Sequence, residues 1–248
     1  MKNMYIYRKH FMLIFISFTL VCCKSINVKN SKMQTAVTPP IALGVIGVQN
    51  TDILSSDFKE TALPTYNNAI RVGVTSTDFN ESTYKAYLKV SQNNKQHVKY
   101  VDSVKAKPGF LKLEILDQIT LLSEMKNEEN DHVIQYLKNQ KNAGVVTAVS
   151  LALPQQIIRE ILIAEAVFLE NQKYKQYQIA LVRGGKTYKT IDFAATSIFG
   201  YQQSYFCWKI NGKRKVVLSG IVDKTGTCGN DAYRDASKAQ EKMDYFKL

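Results

Sequence analysis

The chain has 248 residues, of which 45% are hydrophobic, and a formal charge of +12. That apolar content excludes a disordered polymer, and the length is enough for one sizeable core or two small ones. The positive balance favours contact with anionic surfaces. The first element is the apolar run Phe11 to Val21, broken only by Ser17 and Thr19 and preceded by Lys2, Arg8 and Lys9. A bilayer span needs about 20 apolar residues, so this run is too short to cross a membrane. It fits the apolar core of an export signal behind a basic start. Export makes nucleic acid an unexpected partner. It leaves phospholipid head groups, lipopolysaccharide and acidic polymers as the anionic surfaces to consider.

The run closes on Leu20-Val21-Cys22-Cys23. This resembles the lipobox of bacterial lipoproteins, over residues 1–23 only. The resemblance implies that the Cys23 thiol receives a diacylglycerol, that residues 1–22 are removed as a signal peptide, and that the protein is held at a membrane. Cys22 is the poorer acceptor, with Thr19 and Val21 at the flanking positions. The other reading is an ordinary secreted protein whose two cysteines leave with the signal. Residues 23–40 are polar, lack periodicity and end on Pro39-Pro40, so they read as a flexible tether with a reach of about 23 Å. Lys24, Lys29 and Lys32 stand where some surface-displayed lipoproteins carry acids. By that resemblance the anchor faces the periplasm from the outer membrane.

A single domain is expected over residues 41–248. Residues 41–48 and 68–75 are short apolar runs bounded by turn residues and read as strands, with a loop between them. Residues 83–90 suit a helix capped by Asp78 or Asn80, or a strand. Strands follow at 97–104 and 110–116, then a helix over 130–141. A buried strand at 145–153 leads into a helix opened by Pro154. Continuing that helix would put Glu165 in its apolar face, so it ends near Ile163 and a strand takes 164–170. Gly184-Gly185 and Asn211-Gly212 each sit between alternating segments and signal two-residue hairpins. In those registers Tyr188 and Thr190 share a face with Ile179 and Leu181, Trp208 faces Lys215, and Lys209 faces Arg214. A helix from about Asp231 closes the chain, with Ala232, Ala236, Ala239, Met243 and Phe246 inward and Arg234, Lys238 and Lys242 outward. Strands in a run with few, segregated helices predict an α+β fold, mostly antiparallel sheet with a C-terminal β-meander and peripheral helices.

Cys207 and Cys228 are the cysteines beyond the signal, and an oxidising compartment predicts a disulfide between them. Beyond the signal the histidines are His97 and His132. Glu128 and His132 are four apart at a helix start, but acids there are ordinary dipole complements and no second ligand pair accompanies them. No metal and no cofactor is expected. Nucleophile-elbow, zinc-protease, phosphate-loop and EF-hand motifs are absent.

Lys209, Lys213, Arg214 and Lys215 surround the Asn211-Gly212 turn as a contact for an anionic surface. Phe199, Tyr201, Tyr205, Phe206 and Trp208 beside it read as sheet core, or else as a platform for a glycan or acidic polymer. The expected function is a lipid-anchored binding or scaffolding module of the cell envelope. An anionic envelope polymer or another envelope protein is its candidate partner. The alternatives are an anchored hydrolase with a site assembled from distant residues, and a secreted unanchored adhesin.

Overall fold

The computed structural model describes residues 25–36, 41–51, 56–91, 98, 107–172 and 176–245. Its strands in chain order are β1 (Ser25–Val28), β2 (Ser31–Thr35), β3 (Ile46–Thr51), β4 (Ser56–Ala62), β5 (Ile70–Asp78) and β6 (Gly109–Ile115). They continue with β7 (Ala143–Ala152), β8 (Ala166–Gln172), β9 (Gln176–Arg183), β10 (Lys186–Asp192), β11 (Ser197–Ile210) and β12 (Val216–Val222). The helices are α1 (Glu81–Ser91), α2 (Gln118–Met125), α3 (Asp131–Lys138), α4 (Gln155–Leu162) and α5 (Ala236–Tyr245). The described strands form one sheet in the order β1-β2-β11-β7-β6-β5-β8-β9-β10. β12 also pairs with β11, and the β3–β4 hairpin also joins β7.

Every residue of β7 is buried, which is why its Val, Ala and Leu run lacks the alternation of a half-exposed strand. Burying one such Val or Leu side chain is worth about 1.5–3 kcal/mol. On one face of the sheet, Phe79 and Tyr87 of the α1 region pack with Phe110 and Phe199 at ring separations of 4.8–6.1 Å. The ambiguity at 83–90 resolves as helix, because Asn80 Oδ1 accepts from the Thr83 backbone N–H at 2.9 Å and caps it.

The pairing is antiparallel throughout the described strands, in keeping with the predicted class. The last third is not one meander, however. β8, β9 and β10 follow one another at one end of the sheet, whereas β11 crosses to lie between β2 and β7.

Residues 25–36 do not form a tether: β1 and β2 are a hairpin in the sheet, with Ile26, Val28, Met33 and Ala36 all at most 3% exposed. These apolar side chains alternate with polar ones across a turn in which Lys29 has φ of 51°. So short an alternation is easily taken for polar linker. β4 likewise occupies residues read as loop, since Phe58 is its one apolar side chain before Ala62 and an edge strand needs no more. α2 was not anticipated, although Asp117 caps it by accepting from the Thr120 N–H at 2.9 Å. The strand expected at 97–104 falls outside the described residues apart from Val98.

Both hairpin registers differ from expectation. A bulge after Thr187 shifts β10 by one residue, which sets Ile191 opposite Ile179 and Lys189 opposite Leu181, and leaves Tyr188 exposed. The β11–β12 connection spans five residues rather than two. Asn211 Oδ1 accepts from the N–H groups of Lys213 and Lys215 at 3.0 and 2.9 Å, and Arg214 adopts φ of 56°. Trp208 therefore pairs with Leu218 and Lys209 with Val217, not with Lys215 and Arg214. The side-chain amide of Asn211 outweighs the Asn-Gly preference for a tight turn, because it gathers two donors into a wider loop.

The helix opened by Pro154 ends at Leu162, as the cost of burying Glu165 requires. Glu165 instead turns outward, and its Oε2 accepts from the Gly184 N–H at 2.7 Å in the β9–β10 turn.

Candidate functional site

A polar cleft opens where β11 has no neighbour on one edge. On that edge β2 pairs with Gly200 and Tyr201, and β12 begins at Tyr205. Among the described residues no strand covers Gln202, Gln203 and Ser204 there. The resulting notch has a volume of about 660 Å³. Strand β2 forms one wall with Ser31, Lys32 and Gln34, and Asp223 to Thr225 form the other. A second lobe of about 350 Å³ continues from Gln49, Tyr205 and Lys224 to Lys141 and Arg234.

Hydrogen bonds order the floor. Gln202 Nε2 donates to Asp223 Oδ1 at 3.3 Å, and Ser204 Oγ donates to the same oxygen at 3.2 Å. Ser204 Oγ is also 2.8 Å from Thr147 Oγ1. Gln203 passes over the junction of β3 and β7 to donate to the Gly47 carbonyl at 2.6 Å. That path needs Gly144: a Cβ there would stand 2.5 Å from the Ser204 carbonyl oxygen and 2.7 Å from Gln203 Cγ. Gln202 Oε1 and Gln203 Oε1 are both buried and accept no hydrogen bond among the described residues. An acceptor left so costs about 1–3 kcal/mol, and orphans of this kind in a native fold call for an explanation.

The wall at Asp223 to Thr225 is held from behind by three devices. Arg234 donates to the carbonyl oxygens of Asp223, Lys224 and Gly226 at 2.5–2.8 Å, and its guanidinium lies 5.1 Å from the Tyr205 ring centre. Cys228 is joined to Cys207 on β11, with Cα atoms 5.7 Å apart, as expected for this pair. Trp208 and Tyr233 exchange backbone hydrogen bonds at 2.7 and 2.8 Å. The stretch carrying Asp223, Asp231 and Asp235 is thus a largely exposed strap pinned to β11. Arg234 lies ahead of α5 and faces the strap. Burial raises the Tyr205 pKa while the Arg234 charge opposes the shift, so the phenol is neutral at pH 7.

The other wall is held by the sheet. Lys112 of β6, 7% exposed, donates to Ser31 Oγ at 2.9 Å and pairs with Glu114 at 2.7 Å. Ser150 Oγ of β7 donates to Met33 Sδ at 3.0 Å.

The sequence-predicted sites fall elsewhere. Cys23 and His97 lie outside the described residues. His132 is exposed on α3 and does not line the cleft, and no group of three potential metal ligands occurs among the described residues. Lys209, Lys213, Arg214 and Lys215 are all exposed. Phe199, Tyr201, Phe206 and Trp208 are at most 3% exposed, so the aromatic group is core and not a platform; Tyr205 alone is half-buried. The cleft residues Lys32, Gln34, Gln202, Asp223 and Lys224 were missed. One signal could have pointed to them: Gln202-Gln203-Ser204 interrupts a strand otherwise rich in aromatic and apolar residues. No known protein family matches the chain, and no curated protein is similar to it in sequence.

Proposed function

We propose that the protein is a lipid-anchored binding module of the cell envelope, held through Cys23 at the periplasmic side of the outer membrane, and that it takes its ligand in the β11 cleft. The observation that carries this reading is the composition of the cleft. Its walls and floor supply amides, hydroxyls and lysines, and the one carboxylate among the lining residues, Asp223, is already hydrogen-bonded to Gln202 and Ser204. Glycoside hydrolysis ordinarily uses two carboxylates flanking the scissile bond. A site rich in groups that both donate and accept suits recognition.

The β1–β2 hairpin sets the geometry of anchoring. Ser25 begins β1, so a lipid on Cys23 would sit at most about 7 Å along the chain from the sheet. The body would rest against the bilayer with no standoff. The exposed Lys209, Lys213, Arg214 and Lys215 provide a contact for acidic head groups in that arrangement.

Two measurements test the reading. The native protein should partition into the detergent phase, and Cys23→Ser should leave it soluble or as an unprocessed precursor. A native protein that stays in the aqueous phase counts against the anchor. For the cleft, Gln34→Trp fills one wall without disturbing a buried contact. Binding of the full-length protein to its isolated envelope polymer fraction should fall at least tenfold in this variant. Equal binding by wild type and Gln34→Trp would move the ligand away from the cleft.

A further inference from the structure

We infer that the ligand of the cleft is an acidic oligosaccharide; this rests on the binding-module reading above and names its substrate class. Three observations converge on it. Lys32 on the hairpin wall and Lys224 on the strap face the same cleft from opposite sides, and neither has an ion-pair partner among the described residues. Two cations on opposed walls match negative charge carried along a ligand, not a single terminal group. Next, two buried amide oxygens at the floor lack donors, Gln202 Oε1 and Gln203 Oε1, and the lining around them supplies amides and hydroxyls that both donate and accept. Sugar hydroxyls supply donors and acceptors in close succession and match such a lining. Finally, the half-buried Tyr205 ring, steadied by Arg234, lies where the two lobes meet. A flat apolar surface with a polar rim suits the C–H face of a pyranose.

An acidic peptide fits less well. The uncovered edge of β11 is three residues long, too short to add a peptide strand. The lining offers tyrosines and no aliphatic pocket for alternate side chains.

The test uses the full-length protein in detergent micelles, titrated by calorimetry with a short oligogalacturonate. A neutral cello-oligosaccharide of equal length and an oligoglutamate of equal charge serve as comparison probes. Wild type should bind the oligogalacturonate, with affinity falling several-fold between low and physiological salt. The neutral sugar should bind more weakly and without that salt dependence. Lys32→Ser and Lys224→Ser should each weaken the acidic sugar about fivefold, as a partly exposed charge contact allows. Neither should change the neutral one. Gln202→Leu should weaken both sugars. The exposed variant Lys186→Ser, on β10 at the far end of the sheet, should change nothing.

Oligoglutamate binding as tight as the acidic sugar, with the same sensitivity to Lys32→Ser, would overturn the saccharide class. So would failure of both sugars to bind while the envelope fraction still binds in a manner that Gln34→Trp abolishes. In that second case the binding-module reading survives, because only the ligand class has failed. Indifference of envelope binding to Gln34→Trp overturns both.

Discussion

Replacing both Cys207 and Cys228 by serine should lower the stability of the domain by about 3 kcal/mol. The two are 21 residues apart, and in the chain-entropy account a cross-link closing a loop of that size contributes about this much. The expected measurement is a lower urea midpoint with an equal or steeper slope, because the unfolded chain without the cross-link is less compact and exposes at least as much surface. Non-reducing mass analysis of the wild type should show no free thiol at either position. The substitution should also reach the cleft. Asp223 to Thr225 form a wall that is held by Arg234 and by the bond at Cys228. Ligand affinity should therefore fall together with stability, and Arg234→Ala should weaken binding with the disulfide intact. Two alkylatable thiols in the native wild type, or an unchanged midpoint in the variant, would remove the disulfide from this account.

Met33→Ala should cost about 2–5 kcal/mol, the range for emptying a fully buried site of this size. Met33 is 0% exposed and its sulfur accepts from Ser150 on the fully buried central strand. If residues 23–40 were a linker, the same change would fall within about ±0.5 kcal/mol, as surface substitutions do. The two outcomes differ by several times the error of a denaturation curve. Lys32→Ser, one residue away but exposed, is the internal control and should leave stability unchanged. A Met33→Ala midpoint equal to that of wild type would detach the hairpin from the sheet. It would also return the anchor to a long standoff.

Much of the fold was legible in the chain because local chemistry decides it. The Val, Ala and Leu run of β7 is apolar enough to demand burial, Pro154 suits the start of a helix and not its interior, and the cost of burying Glu165 ends that helix within a residue of where it stops. Gly184 and Gly185 supply the positive φ values of 57° and 70° that their turn needs. Compartment logic pairs Cys207 with Cys228 before any coordinate is known.

What the tertiary structure alone decided is register and neighbourhood. A strand's period of two leaves its partner open, and one bulge in β10 or a five-residue loop after Ile210 moves every cross-strand pair beyond it. The β1–β2 hairpin looked like linker because its few apolar side chains gain meaning only beside Ser150 and Gly200. The cleft was invisible for the same reason. Lys32, Gln34, Gln202, Asp223 and Lys224 lie up to 192 positions apart in the numbering and meet only because β11 outruns β2 before β12 begins. No local pattern records a gap in a sheet edge, since it is set by where two other strands happen to stop.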